Sequence, residues 1–147
     1  MLDSFENNSK KILDALTIGI IQTDSSGTIQ TYNKFAMRYF PTQKISNIKE
    51  IIASSDLPNY QRHFKDLEVD ASINLELRLK QNSKKITWCN LRVFRLSKET
   101  MIFQIWDITR RKQIEEYFIA SEEIFRSFFG FSGDGIVFIN RNGKITE

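Results

Sequence analysis

The chain has 147 residues, 41% of them apolar and 27% charged. That length holds one ordinary domain, or one domain and a fragment, and the balance excludes a disordered, collagenous or low-complexity chain. The net charge is +3, and its cations are scattered apart from Arg110, Arg111 and Lys112, which argues against the basic stripe of a nucleic-acid binder.

Residues 2–16 predict a short amphipathic helix, with Leu2, Phe5, Ile12, Leu13 and Leu16 near one stripe and Ser9 as a cap for its second half. Residues 18–24 and 28–32 are two short runs around Ser26-Gly27, which predicts a hairpin. Asn33 stands where it would cap a helix through Phe40, and Pro41 stops that helix. Residues 45–53 and 59–68 predict two more short helices, broken around Asp56 and Pro58. Residues 72–80 alternate strictly, with Ile73, Leu75, Leu77 and Leu79 on one face. Gln81-Asn82-Ser83 turns the chain into residues 86–96, which are apolar on both faces, as are residues 100–108. Strands of that kind belong to a sheet covered on both sides. The order of elements is that of an α+β domain with helices on one face of an antiparallel sheet.

From Thr109 the pattern is helical, without Gly or Pro to residue 129. Ile114, Phe118, Ser121, Phe125 and Phe128 are spaced 4-3-4-3, a two-heptad seam. Two readings stay open: a helix packed on its own sheet, or a dimer seam.

The end of the chain repeats its beginning. GIIQTDSSGTI, residues 19–29, aligns without gaps on GIVFINRNGKI, residues 135–145. Gly19 meets Gly135, Gly27 meets Gly143, and Asp24 meets Asn140. Two copies of one domain type in tandem account for this, with the second stopping at Glu147. The boundaries expected are 1–108 for the first domain, 109–129 for a linker helix, and 130–147 for the start of a second domain. Two strands do not hold together alone in water, so this tail is expected to dock on the first domain or on a second chain.

The lone Cys89 excludes an intrachain disulfide and a cysteine-based zinc site, and it suits a reducing compartment. No run approaches the ~18–20 apolar residues of a spanning helix, and the first residues lack a signal core. The expectation is a cytoplasmic fragment without membrane contact. No Gly-rich phosphate loop, HExxH or Gly-x-Ser-x-Gly is present, and with one histidine and one cysteine no enzyme is expected.

Four stretches together resemble the PAS domain with its C-terminal PAC motif, found in bacterial histidine kinases and diguanylate cyclases. They are ILDALTIGIIQTDSSGTIQTYN, then Tyr32-Asn33 with Ala36 and Phe40, then TWCNLRVFRL, and WDITRRKQIEE. The resemblance covers residues 9–129 and the restarted copy. Pro41 departs from it, standing where many members have Gly, and residues 41–70 match no specific motif.

The resemblance implies a five-stranded antiparallel sheet in the order 2-1-5-4-3, with short helices cupping one face around a small-molecule cavity. Ile21, Thr23, Tyr32, Leu75, Cys89, Leu91, Phe103 and Ile105 would line it, with Phe40 and Phe64 approaching from the helices. His63, the sole histidine, falls on the helix where haem-binding relatives place an axial ligand. Arg62 and Lys65 beside it suit a surface residue instead. A photoreactive flavin is disfavoured, because Ser54-Ser55-Asp56 stands where such relatives have their reactive cysteine and Ile105 where they have Gln. Neither haem nor flavin is expected. Trp88, Phe94, Ile102 and Trp106 alternate to the outer face, where Leu2 and Phe5 of the first helix or a second chain would cover them. A parallel homodimer through helix and sheet is expected. Asp107 and Thr109 end the last strand, and the resemblance implies that Asp107 pairs with Arg110, Arg111 or Lys112 to hold the exit helix. The function implied is a sensory and dimerisation module serving an effector domain in the same parent chain. A cofactor-binding redox or gas sensor and a ligand-free interaction domain are the alternatives.

Overall fold

Period-two alternation decides which side of each strand buries. Leu75, Leu77 and Leu79 bury while Asn74 and Glu76 stay exposed. In the computed structural model, which describes residues 2–40, 45–80, 87–131 and 138–146, these lie on β3 (Ser72–Leu79). The other strands are β1 (Gly19–Asp24), β2 (Ile29–Tyr32), β4 (Thr87–Arg95) and β5 (Thr100–Asp107). They form one sheet in the order β2-β1-β5-β4-β3, and every neighbouring pair is antiparallel. The expected strand order and α+β class are both present.

Register stacks the inner face in rows. Leu75, Leu91 and Ile105 are successive partners across three strands, and Val93, Phe103 and Ile21 form the next row. All are buried. Ile48, Ile51, Ile52, Tyr60, Ala36 and Tyr39 close over them from the segments between β2 and β3. Burying that many apolar side chains is the main force holding this unit together, at about 25 cal/mol per Å² removed from water.

The helices over the cup are shorter than the sequence predicts. The expected helix from Asn33 to Phe40 is a 3-10 turn over Ala36–Tyr39. The expected helix over 45–53 is a 3-10 turn over Ile48–Glu50, capped by Asn47 and Glu50. The reason lies in the sheet edges. Ile29 N–H donates to the Ser46 carbonyl at 2.8 Å and Ile48 N–H to Gly27 at 2.9 Å. Lys80 N–H donates to Ile51 at 2.7 Å and Ala53 N–H to Arg78 at 2.8 Å. Residues 46–53 are therefore a strap tied to both edge strands, and few backbone groups remain for a helix. The strap also blunts two edges that would otherwise invite pairing with another chain. α2 (Leu57–Lys65) follows and covers most of the expected 59–68. The stop at Pro41 and the turn at Gln81-Asn82-Ser83 lie outside the described residues.

α1 (Leu2–Ala15) precedes β1, and α3 (Thr109–Phe131) follows β5 after one residue. The expected continuous helix over 109–129 is present. The chain divides into two compact units, Met1–Thr109 and Arg110–Glu147. The second holds most of α3 and a hairpin of β6 (Phe138–Ile139) and β7 (Ile145–Thr146). No described helix is long and apolar enough to cross a membrane.

The two hairpins share one turn, bond for bond. Asp24 Oδ1 accepts the N–H groups of Ser26 and Thr28, each at 2.9 Å. Asn140 Oδ1 accepts those of Asn142 and Lys144 at 2.9 and 3.0 Å. Gly27 and Gly143 both take positive φ, 88° and 75°, which favours glycine. The first turn differs in charge. The Ser26 hydroxyl, foremost, and the Thr28 N–H hold the Asp24 carboxyl below its ordinary pKa. A depressed carboxylate pKa stabilises the fold above the ordinary carboxylate range, and this contribution is lost as pH falls through the folded value. Asp24→Asn is therefore expected to keep the hairpin, as Asn140 does, and to flatten the loss of thermal stability below about pH 4. Melting curves from pH 2 to 7 test it, and a variant as acid-sensitive as the native chain contradicts it.

Candidate functional site

Most of the expected cavity residues face the cup. Ile21, Thr23, Leu75, Cys89, Leu91, Phe103 and Ile105 are buried there, and Phe40 and Phe64 are half-buried against the same core. They meet one another in a packed interior. Phe64 stacks on Phe103 at 6.1 Å and packs on Tyr60 at 5.0 Å. The Tyr60 hydroxyl is buried, and it has no hydrogen-bond partner among the described residues. Desolvation raises its pKa. A buried polar group without a partner costs about 1–3 kcal/mol, so it marks a point where a polar molecule would be welcome.

Two expected lining residues are not in the cup. Tyr32 stands across from Ile21 in register, yet it is 46% exposed. β2 is an edge strand, and the ring turns out to meet Phe40 edge-on at 4.9 Å. His63 is exposed on α2, with Nδ1 2.9 Å from the Asn59 carbonyl. Its ring serves its own helix, so the sole histidine is not aimed at the interior and does not suit an axial haem ligand. Burial pushes the Cys89 thiol up to about 12, with Asp107 across the strand pair adding to it. That keeps the thiol protonated and inert.

At one end of the cup a pocket of about 350 Å³ opens at the rim. Lys49 of the strap, Gln61 and Lys65 of α2, and Arg95 of β4 surround it, over Phe64 and Met101. Of these, only Phe64 is expected from the sequence to line a cavity. The register explains the grouping, because Arg95, Met101 and Thr23 form the last row of the inner face.

At the other end, strand passes into helix. Asp107 Oδ1 accepts the Thr109 N–H at 2.7 Å. The Thr109 hydroxyl accepts the Trp88 N–H at 3.0 Å and donates to the Trp88 carbonyl at 3.4 Å. Ile108 N–H donates to the same carbonyl at 2.9 Å. Thr109, the first residue of α3, is thus tied to β4. Asp107, expected to pair with the basic residues that follow it, caps the helix in this way, and Arg111 and Lys112 each pair with Glu115. Acidic groups at a helix N-terminus are favoured by the helix dipole, so the carboxylate is well placed there. Tyr39 reaches the same junction: burial raises its phenol to about 12, the Asp107 carboxylate adds to this, and a hydrogen bond with the Asp107 backbone opposes it.

A third linkage holds the N-terminal helix. Asn33 is 4% exposed and uses its whole amide. Its Nδ2 donates to the carbonyls of Leu13 at 2.8 Å and Ile18 at 2.9 Å. Its Oδ1 accepts the N–H groups of Ile20 at 2.9 Å and Ala36 at 3.0 Å. One side chain therefore joins α1, β1 and the first 3-10 turn, where the sequence suggested only a cap. A further tie is the fork of Arg78 on Asp56, at 2.6 and 3.0 Å, which holds the start of α2 to β3. These bonds hold the Asp56 carboxyl below its usual range.

On the outer face, Trp88, Phe94, Ile102 and Trp106 are each half-buried. The Arg78 guanidinium lies 5.3 Å from the Trp88 ring. A groove of about 870 Å³ runs between the end of α1 and β1, β2 and β5, with Leu13, Ile20 and Ile102 in its lining. Leu2 and Phe5 lie on α1, and their side chains fall outside the described residues.

No family model and no curated protein matches the sequence. Solved structures do. The PAS domain of an HTR-like protein from Haloarcula marismortui aligns over 73% of this chain and 94% of its own, with TM-score 0.61 and 17% identity. A sensory box histidine kinase/response regulator from Burkholderia thailandensis aligns over 82% of this chain and 98% of its own, with TM-score 0.63 and 20% identity. A PAS domain from Colwellia psychrerythraea aligns over 72% and 98%, with TM-score 0.61 and 18% identity. The chain has the PAS fold.

Proposed function

We propose that this chain is a sensory and dimerisation module of a larger signalling protein, acting in the cytoplasm. It serves an effector domain of the histidine kinase or diguanylate cyclase kind in the same parent chain. The observation that carries this reading is the junction of Asp107, Thr109 and Trp88. A helix whose first residue is bonded to an interior strand follows a shift of that strand, which is how a two-state relay works. That solved structures of the same fold are named as histidine kinases supports the class of parent. Residues 130–147 begin a second domain of the same kind, a reading supported by the turn that Asn140 shares with Asp24. No resident haem or flavin is part of the proposal.

Dimerisation is proposed through α3. Ile114, Tyr117, Phe118, Ile124 and Phe128 share one face of that helix and are all more than half exposed. A second copy of the same stripe buries them by a two-fold axis, the commonest symmetry. Sedimentation of the native chain is expected to give a dimer, and Ile114→Glu with Phe118→Glu a folded monomer. A native chain that stays monomeric at high concentration contradicts the proposal.

A further inference from the structure

We propose that the rim pocket between the strap, α2 and the end of β4 is a binding site for a small organic anion, a carboxylate on a short apolar body. The proposal rests on the sensory reading for its purpose, but the site itself stands on four observations.

The first is charge. Lys49, Lys65 and Arg95 come from three different elements to one pocket, and no carboxylate lines it. Among the described residues, neither lysine forms an ion pair. Like charges held around a concavity repel one another, and its low-dielectric walls focus their field on whatever enters. An anion relieves that repulsion.

The second is preorganisation. Arg95 donates from Nη1 to the Leu67 carbonyl at 2.7 Å and from Nη2 to the Lys98 carbonyl at 3.2 Å. Its guanidinium is therefore fixed in place. Its Nε is buried, with no hydrogen-bond partner among the described residues, so the pocket is offered a fixed positive charge rather than a free donor. A charge already held in place loses little freedom when a carboxylate arrives.

The third is the floor. Phe64 and Met101 are apolar, and Ser25 and Gln61 add neutral polar groups. A bare inorganic ion gains nothing from such a floor, whereas an aromatic or aliphatic carboxylate does. The volume, about 350 Å³, suits a small molecule.

The fourth is the route inward. Phe64 stacks on Phe103 of β5, the strand that ends at Asp107 and leads into α3. A molecule resting on Phe64 presses on that strand. The packed cup interior thus transmits the signal, and the rim receives it.

Benzoate is the probe, with benzamide as its neutral counterpart and inorganic phosphate as the bare anion. Titration of the intact 147-residue chain by NMR is expected to move the signals of Lys49, Phe64 and Met101 with benzoate. It should move them at least fivefold more weakly with benzamide or phosphate. Lys49→Gln with Lys65→Gln is expected to weaken benzoate binding about tenfold while leaving the melting temperature within a degree or two, since neither side chain holds the fold. Arg95→Lys, which keeps a charge but loses the fork, serves as a second variant and is expected to weaken binding in the same direction. Equal responses to benzoate and benzamide overturn the site, as do shifts confined to other regions or binding indifferent to the lysines. Benzoate bound at the rim with no change in the hydrogen exchange of α3 leaves the site standing and removes the sensory role.

Discussion

Phe103→Ala is expected to lower the stability of the first unit by about 4 kcal/mol, a fall of roughly 15 °C in melting temperature. The residue is fully buried on β5, between Val93 and Ile21 in register, and its ring carries the stack with Phe64. Truncation removes the burial of the ring and leaves a void that the sheet cannot close, because three strands fix the backbone around it. The effect should spread in a defined direction. α2 loses its contact with β5, so amides of Leu57–Lys65 should exchange faster, while α1 keeps its own tie through Asn33. Calorimetry and hydrogen exchange on the variant test both parts. A loss below about 1 kcal/mol would show that the cup is far looser than its packing implies.

The second large effect is expected at Asn33. Its amide makes four hydrogen bonds to four backbone groups, two given and two received. Asn33→Ala strands all four at a buried site, and the expected loss is about 3 kcal/mol, or roughly 10 °C. Asn33→Asp separates this account from one based on size. The aspartate keeps the shape and both acceptor bonds, but it sets a carboxylate oxygen against the carbonyls of Leu13 and Ile18. It should therefore be about as damaging as alanine near neutral pH, and should recover on acidification as a protonated carboxyl regains one donor. If Asn33→Asp matches the native chain in thermal melts at pH 7, the four-bond role is wrong.

The sequence carried the sheet and the long helix clearly, and for a physical reason. Strict alternation in residues 72–80 leaves one way to bury Leu75, Leu77 and Leu79, and a stretch without Gly or Pro has no reason to break between 109 and 129. The repeat of Asp24-Ser25-Ser26-Gly27 as Asn140-Arg141-Asn142-Gly143 was legible because a side-chain acceptor and a glycine at positive φ are both local needs. What the sequence concealed is long-range. The strap at 46–53 reads as a helix by its spacing, and only the two sheet edges that claim its backbone make it otherwise. Tyr32 alternates correctly yet leaves the core because β2 is an edge. The surface place of His63 was legible in Arg62 and Lys65 beside it, whereas Asn33 could not be read as a buried four-bond side chain until its partners were known. The rim cluster of Lys49, Lys65 and Arg95 spans 47 positions in the chain and has no motif. Only the register that places Arg95 beside Met101 brings it together.

The proposed relay requires α3 to follow β4 and β5 through Asp107, Thr109 and Trp88. Distance measurement by electron spin resonance between labels at Glu123→Cys in the dimer tests this directly. Cys89 need not be replaced, because its buried, protonated thiol will not take the label. The native junction should give one narrow distance distribution. Thr109→Val, which keeps the side-chain shape and removes both bonds to Trp88, should shift or broaden it by at least ~2 Å. Identical distributions in the two proteins would contradict the relay.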